Sequence, residues 1–209
     1  MYACWSVKGG SGTTVFAAAL SLAIAEKRGR ATLVDLGGDV PAVLGMEEGS
    51  GLGIRDWLAG PTRDSDAYTA LRRAATSKLD IISVGNASSF SADALEDLRA
   101  VADGNTIIDF GTLRPSDTFR GDITADWLVT RPCYLSLRRA ARLEQRPRGV
   151  VVLREAGRAL TRRDIESVTG APVIAEISVS DAIARSVDAG LLATRLPKRL
   201  SDEIESLLS

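Results

Sequence analysis

Residues 8–14 read Lys-Gly-Gly-Ser-Gly-Thr-Thr and join an apolar run, Tyr2–Val7, to an Ala- and Leu-rich run, Thr14–Lys27. A glycine-rich turn between a strand and a helix N-terminus aims several backbone N–H groups into one concavity at the positive end of the helix dipole. That arrangement is phosphate-binding chemistry. Gly9, Gly10 and Gly12 let the backbone approach an anion closely, and the amides of residues from Ser11 to Thr14 are the donors. A phosphate loop ordinarily closes Gly-Lys-Ser/Thr. Here Thr13 stands at the lysine position, and an extra lysine, Lys8, lies upstream. Thr14 holds the Ser/Thr position, whose hydroxyl is expected on Mg²⁺. Asp35 and Asp109 each end an apolar run, where a carboxylate is costly to desolvate unless paired or metal-linked. Asp35 and Asp109, with Thr14, are therefore the candidate metal-linked residues. The plainer alternative is an ordinary glycine-rich turn, a helix-starting threonine and a solvated lysine.

The elements that must position these groups alternate. Strands are expected at Tyr2–Val7, Ala31–Asp35, Leu79–Val84, Thr106–Phe110, Trp127–Thr130, Gly149–Leu153 and Pro172–Ile177. Helices are expected at Thr14–Lys27, Ile54–Leu58, Ala67–Thr76, from a Ser91 cap to Ala102, at Asp181–Asp188 and at Lys198–Leu208. Thr161 with Asp164 three residues on has the spacing of a capping pair, opening a helix to about Val168. Strand alternating with helix predicts an α/β fold: a three-layer, doubly wound, mainly parallel sheet with helices on both faces, formed as one domain over 1–209. Ligands of such sheets lie beyond the carboxyl ends of the strands. Gly9–Thr14, Asp35, Asp109 and Thr130 all fall there.

The 209-residue chain is 45% hydrophobic and 25% charged, the balance of a globular protein with a real core. No apolar run reaches bilayer-spanning length and no signal-peptide pattern opens the chain, so a cytoplasmic protein without an integral membrane segment is expected. Histidine is absent, which removes Ser-His triads, histidine acid/base chemistry and histidine metal sites. Cys4 and Cys133 follow no metal spacing and are expected to be reduced, Cys4 in a buried strand. Net charge is −1, unevenly spread: residues 131–163 hold ten arginines against Glu144 and Glu155, leaving an acidic remainder. Such asymmetry can mark an anionic partner, although solvated arginines on helix faces are the simpler account.

Lys8-Gly9-Gly10-Ser11-Gly12-Thr13-Thr14 resembles the deviant phosphate loop, Lys-Gly-Gly-x-Gly-Lys-Thr, of the MinD/ParA family of dimeric ATPases. The resemblance covers essentially the whole chain. Thr32-Leu-Val-Asp35 is similar to the second strand with its switch aspartate, and Thr106-Ile-Ile-Asp109 to the Walker B strand. Val129-Thr130-Arg131-Pro132 with Leu135-Ser136-Leu137-Arg138 is similar to the "VTxPxxxSLR" segment, and Ile183–Gly190 to the helix near the C-terminus. Gly38-Asp39-Val40, Val43-Leu44-Gly45 and the lysine-free loop look most like the CpaE/TadZ branch of pilus-assembly localisation proteins. Those usually carry a receiver-like domain in front; none is expected here, since the first strand starts at Tyr2. The resemblance implies a P-loop nucleotide-binding domain with ATP and Mg²⁺ as cofactors, and a homodimer with nucleotide sandwiched at its interface. It implies that Lys8 reaches the partner's phosphates, that Asp109 holds Mg²⁺ through water, and that Asp35 contacts a metal-bound or attacking water.

Three positions depart from the pattern. Thr13 replaces an ammonium with a hydroxyl, which keeps a hydrogen bond and loses a charge worth roughly 1.5–3 kcal/mol. Gly37 stands where the family has a second aspartate that helps activate water; Asp39 is the nearby substitute. Leu153-Arg154 replaces the family's base-reading Asn-Arg, leaving Arg154 to stack on a purine. Two losses of catalytic charge predict a nucleotide-dependent dimerising switch or scaffold with weak or no ATP hydrolysis. By resemblance it localises or assembles a pilus, secretion-type or polar machine, with that machine's proteins as partners. The alternative is a ParA-like ATPase that binds DNA non-specifically through the Arg138–Arg148 region. A membrane-associated role is disfavoured. The last helix carries Leu200, Ile204, Leu207 and Leu208 on one face, but Asp202, Glu203 and Glu205 give it the wrong sign for anionic lipid, and packing on the sheet is expected.

Overall fold

The computed structural model describes residues 1–121 and 123–208. The first strand, β1 (Tyr2–Trp5), is buried along its whole length. Its side chains alternate between two cores, Tyr2 and Cys4 in one, Ala3 and Trp5 in the other. A strand apolar on both sides belongs inside a sheet covered on both faces. β2 (Ala31–Asp35), β5 (Thr106–Asp109) and β6 (Ala125–Thr130) are buried in the same way. With β3 (Arg73–Ala74), β4 (Leu79–Ile82), β7 (Gly149–Arg154) and β8 (Val173–Ser178) they form an eight-stranded sheet. Its order is β3-β4-β2-β5-β1-β6-β7-β8, parallel except where β3 pairs antiparallel with β4.

Helices cover both faces, which makes the fold the three-layer doubly wound α/β arrangement that the alternation predicts. One face carries α1 (Thr13–Arg28), α2 (Val40–Leu44), α9 (Asp181–Asp188) and α10 (Lys198–Glu205). The other carries α3 (Ile54–Ala59), α4 (Ser65–Ala70), α5 (Ala94–Val101), α6 (Asp117–Gly121), α7 (Tyr134–Ala140) and α8 (Arg162–Thr169). α1 lies deep in its layer, buried continuously from Phe16 to Ala25, and its small alanines let it approach the sheet closely. Leu200 and Ile204 of α10 are buried against this core, so the acidic last helix packs on the sheet as expected.

Several elements differ from the sequence expectation. The helix predicted over Ala67–Thr76 is instead α4 followed by a hairpin. Asp64 accepts from the Ala67 amide at 2.8 Å and starts the helix early. The amides of Ala75 and Thr76 then donate to the Leu79 carbonyl, and Thr76 Oγ1 accepts from the amides of Lys78 and Leu79. Turn closure therefore overrides helical propensity. β1 stops at Trp5 because the Ser6 amide turns to the Gly111 carbonyl at 2.9 Å. α5 begins at Ala94 instead of at Ser91, whose hydroxyl accepts from the Asp93 amide at 3.3 Å one turn earlier. The short helices α2 and α6 lie in segments without helical periodicity. The Thr161–Asp164 capping pair forms as the spacing predicts, with the Thr161 amide donating to Asp164 Oδ2 at 2.7 Å.

Two tertiary contacts matter below. Asp126 is fully buried and accepts from Trp5 Nε1 at 2.6 Å and from Arg120 Nε at 2.7 Å, so a charge inside the sheet is paired and hydrogen-bonded. At the ends of α2 and α9, Gly45 and Gly190 touch backbone to backbone; a Cβ on Gly45 would lie 1.9 Å from the Gly190 carbonyl oxygen. Both cysteines are free, Cys4 buried in β1. No described helix is long and apolar enough to cross a membrane.

Candidate functional site

Parallel pairing brings the chemical residues together. Asp35 at the end of β2 is the register partner of Asp109 at the end of β5, and Asp109 is also the partner of Cys4 in β1. Neighbouring strands lie about 4.8 Å apart, so the two carboxylates stand side by side under the loop that leaves β1. That loop is knotted internally. The Lys8 carbonyl accepts from Ser11 Oγ at 2.7 Å and from Ser6 Oγ at 3.0 Å, and Ser6 Oγ also reaches the Gly111 carbonyl. Gly12 opens α1 with φ of 86° and no side chain to cap the first-turn amides. A Cβ there would also lie 2.3 Å from Leu153 Cδ1 and oblige that side chain to move, so the left-handed φ is what requires glycine.

Above this floor lies a cavity of about 740 Å³, large enough for a nucleotide. Gly9, Gly10, Ser11, Gly12, Thr13 and Thr14 line one wall. Leu36, Gly37 and Asp39 from the loop after β2, and Phe110 to Leu113 from the loop after β5, line another. It adjoins a narrower apolar pocket of about 160 Å³ walled by Phe16, Leu153, Ile177 and Ile183, with Gly12, Val15, Val187 and Asp188 common to both. A large cavity walled by the glycine loop and joined to a small apolar pocket suits a nucleotide.

The two aspartates are not equivalent. Asp35 Oδ1 accepts from the amides of Gly37 at 2.9 Å and Gly38 at 2.6 Å, and Oδ2 from the amide of Val40 at 3.1 Å. Burial raises its pKa, and these three amides oppose the rise. Both oxygens are thus committed to shaping the loop between β2 and α2. Asp109 is different. Burial pushes its carboxyl up to about 7, with Thr14 and the Gly111 amide pulling the other way. Oδ1 accepts from Gly111 N at 2.9 Å, whereas Oδ2 is buried with no hydrogen bond of ordinary geometry, the Thr14 hydroxyl being close enough to lower the pKa but not placed to satisfy it. A buried, orphaned carboxylate oxygen close to a cavity-lining threonine hydroxyl fits a divalent cation. Among the described residues no three Asp, Glu, Cys or His side chains cluster for a metal.

The remaining predicted residues fall as follows. Thr13 is 5% exposed and faces the cavity, and Asp39 is exposed at its mouth. Lys8 is half-buried and outside the cavity lining, its Nζ folded onto the Gly9 carbonyl at 3.0 Å. Arg154 is not brought to the site. Its Nε and Nη2 bond Glu176 Oε2 at 3.0 and 2.7 Å, and Nη1 bonds the Leu160 carbonyl at 3.1 Å. The arginine that does border the apolar pocket is Arg131, which pairs with Glu155. The loop and switch residues alone do not reveal a further one, Arg55 of α3, whose side chain lines the larger cavity.

Solved structures with this architecture are MinD/ParA-type ATPases. A ParA family ATPase from Chlorobium tepidum superposes with a TM-score of 0.69 at 21% identity, over 99% of this chain and 98% of that one. MinD of Aquifex aeolicus, from its MinC:MinD complex, gives 0.75 at 20% identity over 99% and 93%. MinD of Pyrococcus horikoshii, solved with Mg-ADP, gives 0.71 at 19% identity over 99% and 93%. At such identities the likeness establishes the fold alone, the one that these ATPases share. No family model matches the sequence, and no curated protein matches it.

Proposed function

We propose that the chain is a MinD/ParA-type nucleotide-binding protein, an ATP- and Mg²⁺-dependent dimerising switch or scaffold that turns ATP over slowly or not at all. The observation that carries this reading is the pairing of the glycine loop and Thr14 with the orphaned Oδ2 of Asp109, at the base of a nucleotide-sized cavity. In it, the loop amides hold the phosphates, and Thr14 and Asp109 hold Mg²⁺, with Asp35 positioning the neighbouring loop. When bound, the cation supplies charge neutralisation across the phosphate oxygens. The MinD of the same fold solved with Mg-ADP supports the choice of ligand.

Slow turnover follows from what the cavity lacks. Thr13 brings no charge to the phosphates, and Gly37 brings no carboxylate to a water, while Asp39 stands exposed at the rim. Phosphoryl transfer is stabilised mainly by positioned charge, so binding survives these losses better than chemistry does. Lys8 lies outside the cavity in the single chain, and reaching a second copy's nucleotide requires its Nζ to leave the Gly9 carbonyl. Recruitment of a pilus, secretion-type or polar machine, in the manner of the CpaE/TadZ branch, is the finer form of the proposal and rests on the resemblance of the lysine-free loop and Gly38–Gly45.

The test is equilibrium binding of ATP with Mg²⁺, with the oligomeric state read by light scattering, for wild type and Lys8→Ala. Expected are micromolar to submillimolar binding, an ATP-dependent dimer, and loss of the dimer in the variant with monomeric binding retained. No binding at millimolar ATP sinks the reading.

A second reading, sequence-independent DNA binding, is favoured by one observation. Arg138 and Arg142 on and after α7 are exposed beside Tyr134, which is 75% exposed, and they make no ion pair among the described residues.

A further inference from the structure

We infer that Arg55 supplies, from the loop side of the cavity, the positive charge that Thr13 withholds from the glycine loop, and that it reads the terminal phosphate of a bound nucleoside triphosphate. The inference rests on the nucleotide reading above.

Among the described residues that line the cavity, Arg55 is the single cation, and the other charged side chains there are Asp39 and Asp188. Asp35 and Asp109 lie beneath them. A polyanion entering a chamber with four carboxylates around it meets repulsion that backbone dipoles alone must offset. Arg55 changes that balance. Its Nη2 donates to the Leu36 carbonyl at 2.6 Å, which holds the guanidinium beside Gly37 and Asp39, across the cavity from Thr13 and Thr14. Nε is buried with no partner. A guanidinium offers five N–H donors, so one bond to Leu36 leaves a planar fork suited to phosphate oxygens.

The backbone that carries Arg55 is fixed in advance. The amides of Ile54 and Arg55 donate to the carbonyls of Ser83 and Val84 at 2.8 and 3.0 Å. Asp56, next in the chain, accepts from the amides of Gly53, Asn86 and Ala87 at 2.8 to 2.9 Å. Gly53 passes so near the segment after β4 that a Cβ on it would lie 2.3 Å from the Ser83 carbonyl oxygen. α3 is therefore pinned to the strand end, and the arginine's reach is set by its side chain alone. With the glycine loop holding the inner phosphates, a charge on the wall formed by the loop after β2 is left to meet the outer one. It should sense the third phosphate more than the second.

The experiment is the dissociation constants of MgATP and MgADP for wild type, Arg55→Gln and Arg55→Lys, with thermal melts of each. Glutamine keeps a donor for the Leu36 carbonyl and removes the charge; lysine keeps the charge. Expected are a wild-type preference for MgATP over MgADP, a roughly 10–100-fold loss of MgATP affinity in Arg55→Gln with little change for MgADP, and near wild-type binding in Arg55→Lys. If Arg55→Gln binds MgATP like wild type, the arginine only braces the loop and the inference falls while the nucleotide reading stands. A wild type that binds both nucleotides equally also overturns it, without recourse to any variant. A wild type that binds neither removes the nucleotide reading itself.

Discussion

Asp109 concentrates the conflict between stability and function in one carboxylate. It is fully buried, has one oxygen without a partner, and titrates near 7 instead of at its ordinary 3.8. Below about pH 4 the group is protonated in folded and unfolded chains alike and costs nothing. As pH rises from 4 to 7 only the unfolded chain ionises, so the folded state loses stability; above 7 the penalty is complete and constant. At 1.36 kcal/mol per pH unit the plateau is at most about 4 kcal/mol. Asp109→Asn, measured by urea unfolding without nucleotide or Mg²⁺, is expected to be more stable than wild type at pH 8, with the gain fading toward pH 4. A variant equal to or weaker than wild type at pH 8 would show that the isolated carboxylate is better solvated than its geometry implies. On the proposed reading, a bound cation would satisfy the oxygen left without a partner.

At the scale of elements, the start of α1 is the most constrained junction. Gly12 takes a left-handed φ and leaves no room for a methyl beneath Leu153. An L-residue in that conformation costs about 1–2 kcal/mol, and displacing Leu153 adds to it. Gly12→Ala is expected to lower the melting temperature by roughly 3–10 °C. Adding Leu153→Ala to that variant relieves the clash but not the strained φ, and opens a cavity of its own, so no full rescue is expected. A Gly12→Ala protein that melts like wild type would mean the loop rearranges without cost. This junction was legible in the sequence because its glycines and threonines are consecutive. The buried strands were legible too, since runs such as Thr32-Leu-Val and Thr106-Ile-Ile have no polar face to place. The five-residue helices α2 and α6 are too short to show a period, and the β3 hairpin is decided by turn bonds at Thr76. The fates of Arg154 and Arg55 depend on tertiary neighbours, Glu176 across the β7–β8 pair and the Leu36 carbonyl, that no local spacing displays. Arg131 reaches the apolar pocket in the same non-local way.

Over the whole molecule, the arginine surplus of residues 131–163 is smaller than its count suggests. Arg131 and Arg158 share Glu155, Arg154 takes Glu176, and Arg162 takes Glu166. Arg148 donates to the carbonyls of Ile123 and Gly121, and Arg139 to that of Val7. Among the described residues Arg138, Arg142, Arg146 and Arg163 remain exposed, with neither an ion pair nor a carbonyl partner. With so few phosphate contacts available per chain, DNA retardation at low salt should vanish by about 150 mM salt. Binding that persists there and depends on ATP would favour the partitioning reading over the switch.

The contact between Gly45 and Gly190 gives this surface a mechanical meaning. α2 hangs from the loop whose amides grip Asp35, and α9 contributes Val187 and Asp188 to both halves of the cavity. Where the two helices end, backbone meets backbone with no side chain to absorb slack. Two meshed teeth cannot move one without the other. A displacement of the loop after β2 toward α9 is therefore passed on to that helix, whose outer residues are exposed, so the floor of the cavity and a stretch of outer surface move as one.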